Sequence, residues 1–151
     1  MNDSTWTWMS GSNTRNRVGV YGTKGNASIE NVPGSRRGAV GWYDSLREEF
    51  WLFGGLGRAS TGQGLCEKKK KKKKNLHAIP PKIHLITLIG ILNDLWKYRM
   101  NDSTWTWVSG SATIYQRGVY GEKGKASIEN VPGARYGAVG WYDSLREEFW
   151  L

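Results

Sequence analysis

At 151 residues, with 20 glycines and nine tryptophans, the chain is long enough for one domain and is dominated by the residues of short strands and turns. Its formal charge of +9 points to a nucleic-acid or membrane binder until it is located: seven of those charges form one run of lysines, the first Lys68 and the last Lys74, and the remainder carries only +2. The single cysteine, Cys66, excludes an intramolecular disulfide and is neutral about compartment.

Met1-Asn2-Asp3-Ser4-Thr5 lacks a basic segment followed by an apolar stretch, so no secretory leader is expected. Thr5-Trp6-Thr7-Trp8 then alternates threonine with tryptophan, a strand pattern that places both tryptophans on one face. A hairpin is predicted further on, from Gly38-Ala39-Val40-Gly41-Trp42-Tyr43 and the apolar run Phe50-Trp51-Leu52-Phe53. The linker Asp44-Ser45-Leu46-Arg47-Glu48-Glu49 is polar; Ser45 and Glu48 have capping-box spacing, but six residues leave no room for an ordinary helix, and a turn is predicted. Gly54 and Gly55 are expected to release the chain from β geometry, because glycine tolerates positive φ and close backbone approach.

Residues 57–64 read as a flexible loop, and Asn93-Asp94-Leu95-Trp96-Lys97-Tyr98 as a further strand. Between them, from Cys66 to about Ile91, the composition is foreign to both flanks. The lysine run repels itself and is expected to stay solvated. The apolar stretch from Ile83 to Leu92 is ten residues against the roughly 20 that a bilayer crossing needs. Its β-branched content suits a strand, whereas Leu85, Leu88, Leu92 and Leu95 fall at helical spacing, and periodicity leaves both open. The bland reading of this segment is an insertion without a selected role, such as an adenine-rich stretch not normally translated.

Residues 1–52 and 100–151 are two copies of one sequence that differ at ten of 52 positions, six of them between residues 9 and 18. Such self-similarity is the mark of repeat architectures, in which each unit buries its core against a neighbour. The first copy runs on into Phe53-Gly54-Gly55 whereas the second reaches only Trp150-Leu151, and Met1 matches the internal Met100. A fragment of a longer array is therefore expected.

An apolar strand ending in Gly54-Gly55, followed by Tyr98 and by Trp105 after six intervening residues, resembles the kelch repeat. Arg135-Tyr136-Gly137-Ala138-Val139 ahead of the second hairpin adds to the likeness, which covers most of the chain outside Cys66 to Ile91. The resemblance implies an all-β fold of four-stranded antiparallel kelch blades, with strands at residues 38–43, 50–53, 95–98 and 104–107. It implies a partial, unclosed β-propeller fragment: residues 1–37 as the last strand of a preceding blade and a connecting loop, 38–108 as one blade interrupted at about 66–91, and 109–151 as a connecting loop and the first hairpin of the next. The long insertion departs from the family pattern. A propeller closes with about four to eight blades, so such a fragment is expected to expose strand edges and aromatic faces and to need further blades or self-association.

No catalytic, cofactor-binding or metal-binding residue is assigned. Residues 57–64 have P-loop glycine spacing, but Gln63 and Gly64 stand where Lys and Ser or Thr are required. His77 and His84, the only histidines, make at most an incomplete metal site with Cys66 and leave no histidine in a repeat for a catalytic triad. Most tryptophans are expected to pack between units rather than stack on sugars, because they recur in register in both copies. Asn2, Asn26 and Asn101 each begin a glycosylation acceptor pattern, a motif with many chance matches. The function expected is a non-catalytic scaffold for protein or glycan recognition. One alternative is a piece of a galactose-oxidase-like copper enzyme, whose ligands would have to lie elsewhere. Another is a polybasic binder of anionic lipid or nucleic acid acting through Lys68 to Lys74, although neither partner is expected.

Overall fold

The computed structural model of the chain describes residues 5–60 and 89–151. Among these residues it is all-β, with antiparallel pairing throughout and no helix. The strands are β1 (Ala27–Ser28), β2 (Arg36–Arg37), β3 (Val40–Asp44), β4 (Glu49–Arg58), β5 (Ile89–Arg99), β6 (Thr104–Ser109), β7 (Trp141–Asp143) and β8 (Glu148–Trp150). Strands β3 to β6 form a four-stranded meander, to which β1 adds on the β6 edge and β2 on β4; β7 and β8 make a separate hairpin. Neither a closed barrel nor a closed propeller is present among the described residues.

The predicted hairpin forms as expected: Val40 lies opposite Phe53, Trp42 opposite Trp51 and Asp44 opposite Glu49. Its turn is local chemistry, since Asp44 Oδ1 accepts from the amides of Leu46 (3.0 Å) and Arg47 (3.3 Å), and Glu48 closes it at φ 54°. The second copy repeats these bonds from Asp143 to Leu145 and Arg146.

Four expectations need correction. Gly54 and Gly55 do not end a strand. They form a bulge at φ 62° and 100°, beyond which β4 continues to Arg58, so Gly57 and Arg58 belong to a strand rather than a loop. The bulge survives because the main chain of the second copy enters it: Gly55 N donates to Arg135 O (3.0 Å), Arg135 N donates to Leu92 O (3.1 Å), and a Cβ on Gly54 would stand 2.8 Å from Arg135 O. The third strand begins at Ile89, not near Asn93, and takes in the last residues of the segment set apart as foreign; Leu92 and Leu95 are therefore in a strand. Residues 61–88, with Cys66, both histidines and the lysine run, lie outside the described residues. Finally, Thr5-Trp6-Thr7-Trp8 forms no strand, and Trp6 is fully exposed, whereas the identical Thr104-Trp105-Thr106-Trp107 is β6. The difference is a partner: β6 pairs with β5 through Trp96 opposite Trp107 and Tyr98 opposite Trp105, and residues 5–8 have no such neighbour among the described residues. The expected connecting segment of the first copy also contributes β1 and β2.

Side chains directly opposite one another on paired strands share a face. One face of the meander carries Trp96, Tyr98, Trp105 and Trp107, and Tyr21 from the first copy covers it, with ring centroids 4.7 Å from Trp96 and 5.2 Å from Trp107. At its centre Asp94, fully buried, accepts four hydrogen bonds. They come from Arg36 Nη1 to Oδ1 and Nη2 to Oδ2 (both 2.8 Å), and from the Tyr21 hydroxyl and Trp96 Nε1 to Oδ2 (both 2.6 Å). Arg36 also reaches the carbonyls of Gly34 (3.1 Å) and Gly54 (3.0 Å). A buried carboxylate costs several kcal/mol in desolvation unless so satisfied. The cluster therefore fixes residues 21 and 36 onto β5.

Removing the carboxylate strands the guanidinium: Asp94→Ala is expected to lose about 3–5 kcal/mol in urea unfolding, while Trp6→Ala stays within about 0.5 kcal/mol. Burial first, and then the Asp94 charge, raise the Tyr21 phenol above its ordinary pKa. The unfolded chain releases this proton at about pH 10 and the folded one later. Stability is thus expected to fall as pH rises above about 10, with a shallower fall in Tyr21→Phe.

Candidate functional site

The opposite face of the meander carries Trp42, Trp51, Leu95 and Lys97, and here the hairpin of the second copy docks. Phe149 from β8 lies parallel on Trp42, ring centroids 3.6 Å apart and planes 6° apart, and Trp42 in turn lies parallel to Trp51 at 5.7 Å. Between sheet and hairpin is a cleft of about 430 Å³, walled by these rings with Leu95 and Tyr142 and rimmed by Asp44, Arg47, Glu49, Lys97 and Glu147.

The rim is charged and interlocked. Arg47 Nη1 donates to Asp44 Oδ2 (2.9 Å) and Nη2 donates to Glu147 Oε2, so one guanidinium joins the turn of the first copy to that of the second. Lys97 Nζ donates to Glu49 Oε1 (2.7 Å) and lies 5.6 Å from the centre of the Trp51 ring. Glu49 Oε2 is buried and has no hydrogen-bond partner among the described residues. Burial opposes ionisation of Asp44, but donors from Arg47 and the Leu46 and Arg47 amides prevail and hold its carboxyl below the usual range. Burial and then the Asp44 charge push the Tyr142 phenol up.

The tryptophans sort by whether they lie in the meander. Trp96 is fully buried, and Trp42, Trp51, Trp105 and Trp107 are half-buried, all within the meander. Trp6, Trp8, Trp141 and Trp150, their counterparts where a neighbouring unit is lacking among the described residues, are exposed. Because Trp42 is stacked on both sides, the rings of the cleft act as packing between units and offer no free Trp42 face to a sugar.

The features weighed in the sequence separate in space. Gly57 and Arg58 of the P-loop-like stretch are in β4, and its residues 61–64 lie outside the described residues. Asn26 and Asn101 are exposed, and no three His, Cys, Asp or Glu side chains gather as a metal site among the described residues. Sequence reasoning missed both the Arg36 and Asp94 cluster and the Arg47 clasp. The available signal was Tyr and Arg recurring at positions 21 and 36 and again at 120 and 135, with Asp94 two residues before Trp96. Comparison with known proteins adds no relative: no family model, curated protein or solved structure matches the chain.

A carboxylate with a lowered pKa contributes stability above its unfolded value, and this is lost as pH falls through the folded value. The clasp at Asp44 is therefore expected to hold until below about pH 3.9 and then release. Trp42 fluorescence should report the step, and Asp44→Asn should abolish it.

Proposed function

We propose that this chain is part of a kelch-type β-propeller and serves as a non-catalytic recognition scaffold whose turns and inter-unit cleft contact a protein partner. The observation that carries the reading is the stacking of Phe149 on Trp42, by which a second-copy hairpin covers the face of a complete four-stranded meander. Repeated units packed face to face are what a propeller needs, and they place equivalent turns side by side, as Arg47 and Glu147 do. Fold analogy alone carries no function, so the partner class rests on the site. Of the two classes expected, protein is favoured over glycan, since the rings are already occupied by one another while the rim offers alternating charge: Arg47 and Lys97 with Asp44, Glu49 and Glu147. Such a rim steers and selects a partner of complementary charge.

Peptide and oligosaccharide libraries presented to the whole chain test this. Peptides whose retention falls about tenfold in Arg47→Ala are the expected outcome. Retention of sugars alone, or release of hydrogen peroxide from galactose in the presence of copper, would overturn it.

A further inference from the structure

Among the described residues the cluster around Asp94 exists once, but the residues that receive it exist twice. In the second copy Tyr120 and Arg135 stand where Tyr21 and Arg36 stand in the first. The loop that carries them is built in the same way. Val119 and Val131 bridge as Val20 and Val32 do. Asn130 Nδ2 donates to Lys125 O (3.2 Å) as Asn31 Nδ2 does to Asn26 O (3.0 Å), and Arg135 Nε donates to Gly133 O (3.1 Å) as Arg36 Nε does to Gly34 O (3.1 Å).

What differs is what lies opposite. Among the described residues Arg135 has no carboxylate partner, and its Nη2 reaches only the Tyr120 hydroxyl at 3.4 Å. Tyr120 is 66% exposed where Tyr21 is 5% exposed. Asn31 makes a second bond, to Trp105 O in β6, that Asn130 lacks among the described residues. Residues 126 and 127 form no strand, although the matching Ala27–Ser28 pair with β6. Among the described residues strand β8 pairs only with β7, whereas its counterpart β4 pairs with β5 as well.

We infer that the second copy presents a preformed groove, centred on Arg135 and Tyr120 and bordered by the free edge of β8, that binds an extended segment carrying an aspartate two residues before a tryptophan. The occupant adds as an antiparallel strand to β8, in the register that sets Tyr98 opposite Phe50 in the first copy. Its aspartate takes the bidentate bond from Arg135 and accepts from Tyr120, and its indole covers the Tyr120 ring. Charge complementarity selects it, since the half-buried Arg135 has no counter-ion among the described residues. The loop already holds its internal hydrogen bonds, so little further ordering opposes binding. This inference stands on the repeat itself and does not depend on the ligand of the Trp42 cleft.

A fluorescein-labelled peptide with the sequence of β5, the 11 residues Ile89–Arg99, titrated into the whole chain tests it by anisotropy. Saturable one-to-one binding is expected, weakened at least about tenfold by Asp94→Asn in the peptide alone or by Arg135→Gln in the chain. The peptide variant leaves the chain untouched, so loss of binding there is not a folding defect. Absence of binding, or equal binding of the Asp94→Asn peptide, would overturn the inference. Should a second copy lend its own β5, the chain would run as a dimer that the peptide dissociates, in support; a dimer indifferent to Arg135→Gln would count against it.

Discussion

The structure depends on one buried carboxylate. Asp94 sits fully enclosed on β5 and is tolerable there only because Arg36, Tyr21 and Trp96 together direct four donors at it. Three of these come from the loop that precedes the meander in sequence, so the same bonds that neutralise the charge also tie that loop across the sheet. An apolar residue at this place would leave the buried Arg36 guanidinium without its counter-ion. The carboxylate admits one geometry, in which guanidinium, phenol and indole converge, and that geometry sets where Tyr21 lies on Trp96 and Trp107. Burial raises the cost of any arrangement that leaves one of these groups unpaired.

The strands were legible wherever a partner was close in sequence. The hairpin of β3 and β4 follows from an apolar run, a polar turn and an aspartate able to accept two amides, all within a short stretch. Long-range context decided the rest. Two identical Thr-Trp-Thr-Trp segments differ in state because β5 stands beside one and not the other, so β propensity of this kind records a readiness to pair rather than a strand. The positive φ of Gly54 and Gly55 follows from their being glycines after an apolar run. That they bend a strand instead of ending it is settled by the Arg135 main chain, a residue 81 and 80 positions away, which no local pattern reports. The start of β5 at Ile89 is masked in the sequence because its first residues adjoin a segment of alien composition.

The candidate site was less legible for a related reason. Its aromatic walls recur visibly in both copies, and their role in packing between units follows from that recurrence. Its polar parts do not announce themselves: Arg47 and Glu147 look like ordinary turn charges until the second hairpin folds back over the first, and Glu49 does so until β5 sets Lys97 beside it. Likewise Tyr21 and Arg36 are 73 and 58 residues from Asp94, and only the duplicate pair at positions 120 and 135 hinted that they belong together.

Arg135 also does two things at once with separate parts of itself. Its amide and carbonyl are held by Leu92 and Gly55 of the preceding unit, while its guanidinium turns to Gly133 and Tyr120 of its own. This part of the contact between the copies is thereby made by main-chain atoms that any residue but proline possesses, beside the side-chain contacts of Arg47 with Glu147 and of Trp42 with Phe149. The two copies can therefore differ in side chains, as they do at ten positions, while the main-chain bonds at this junction ask nothing of side-chain identity.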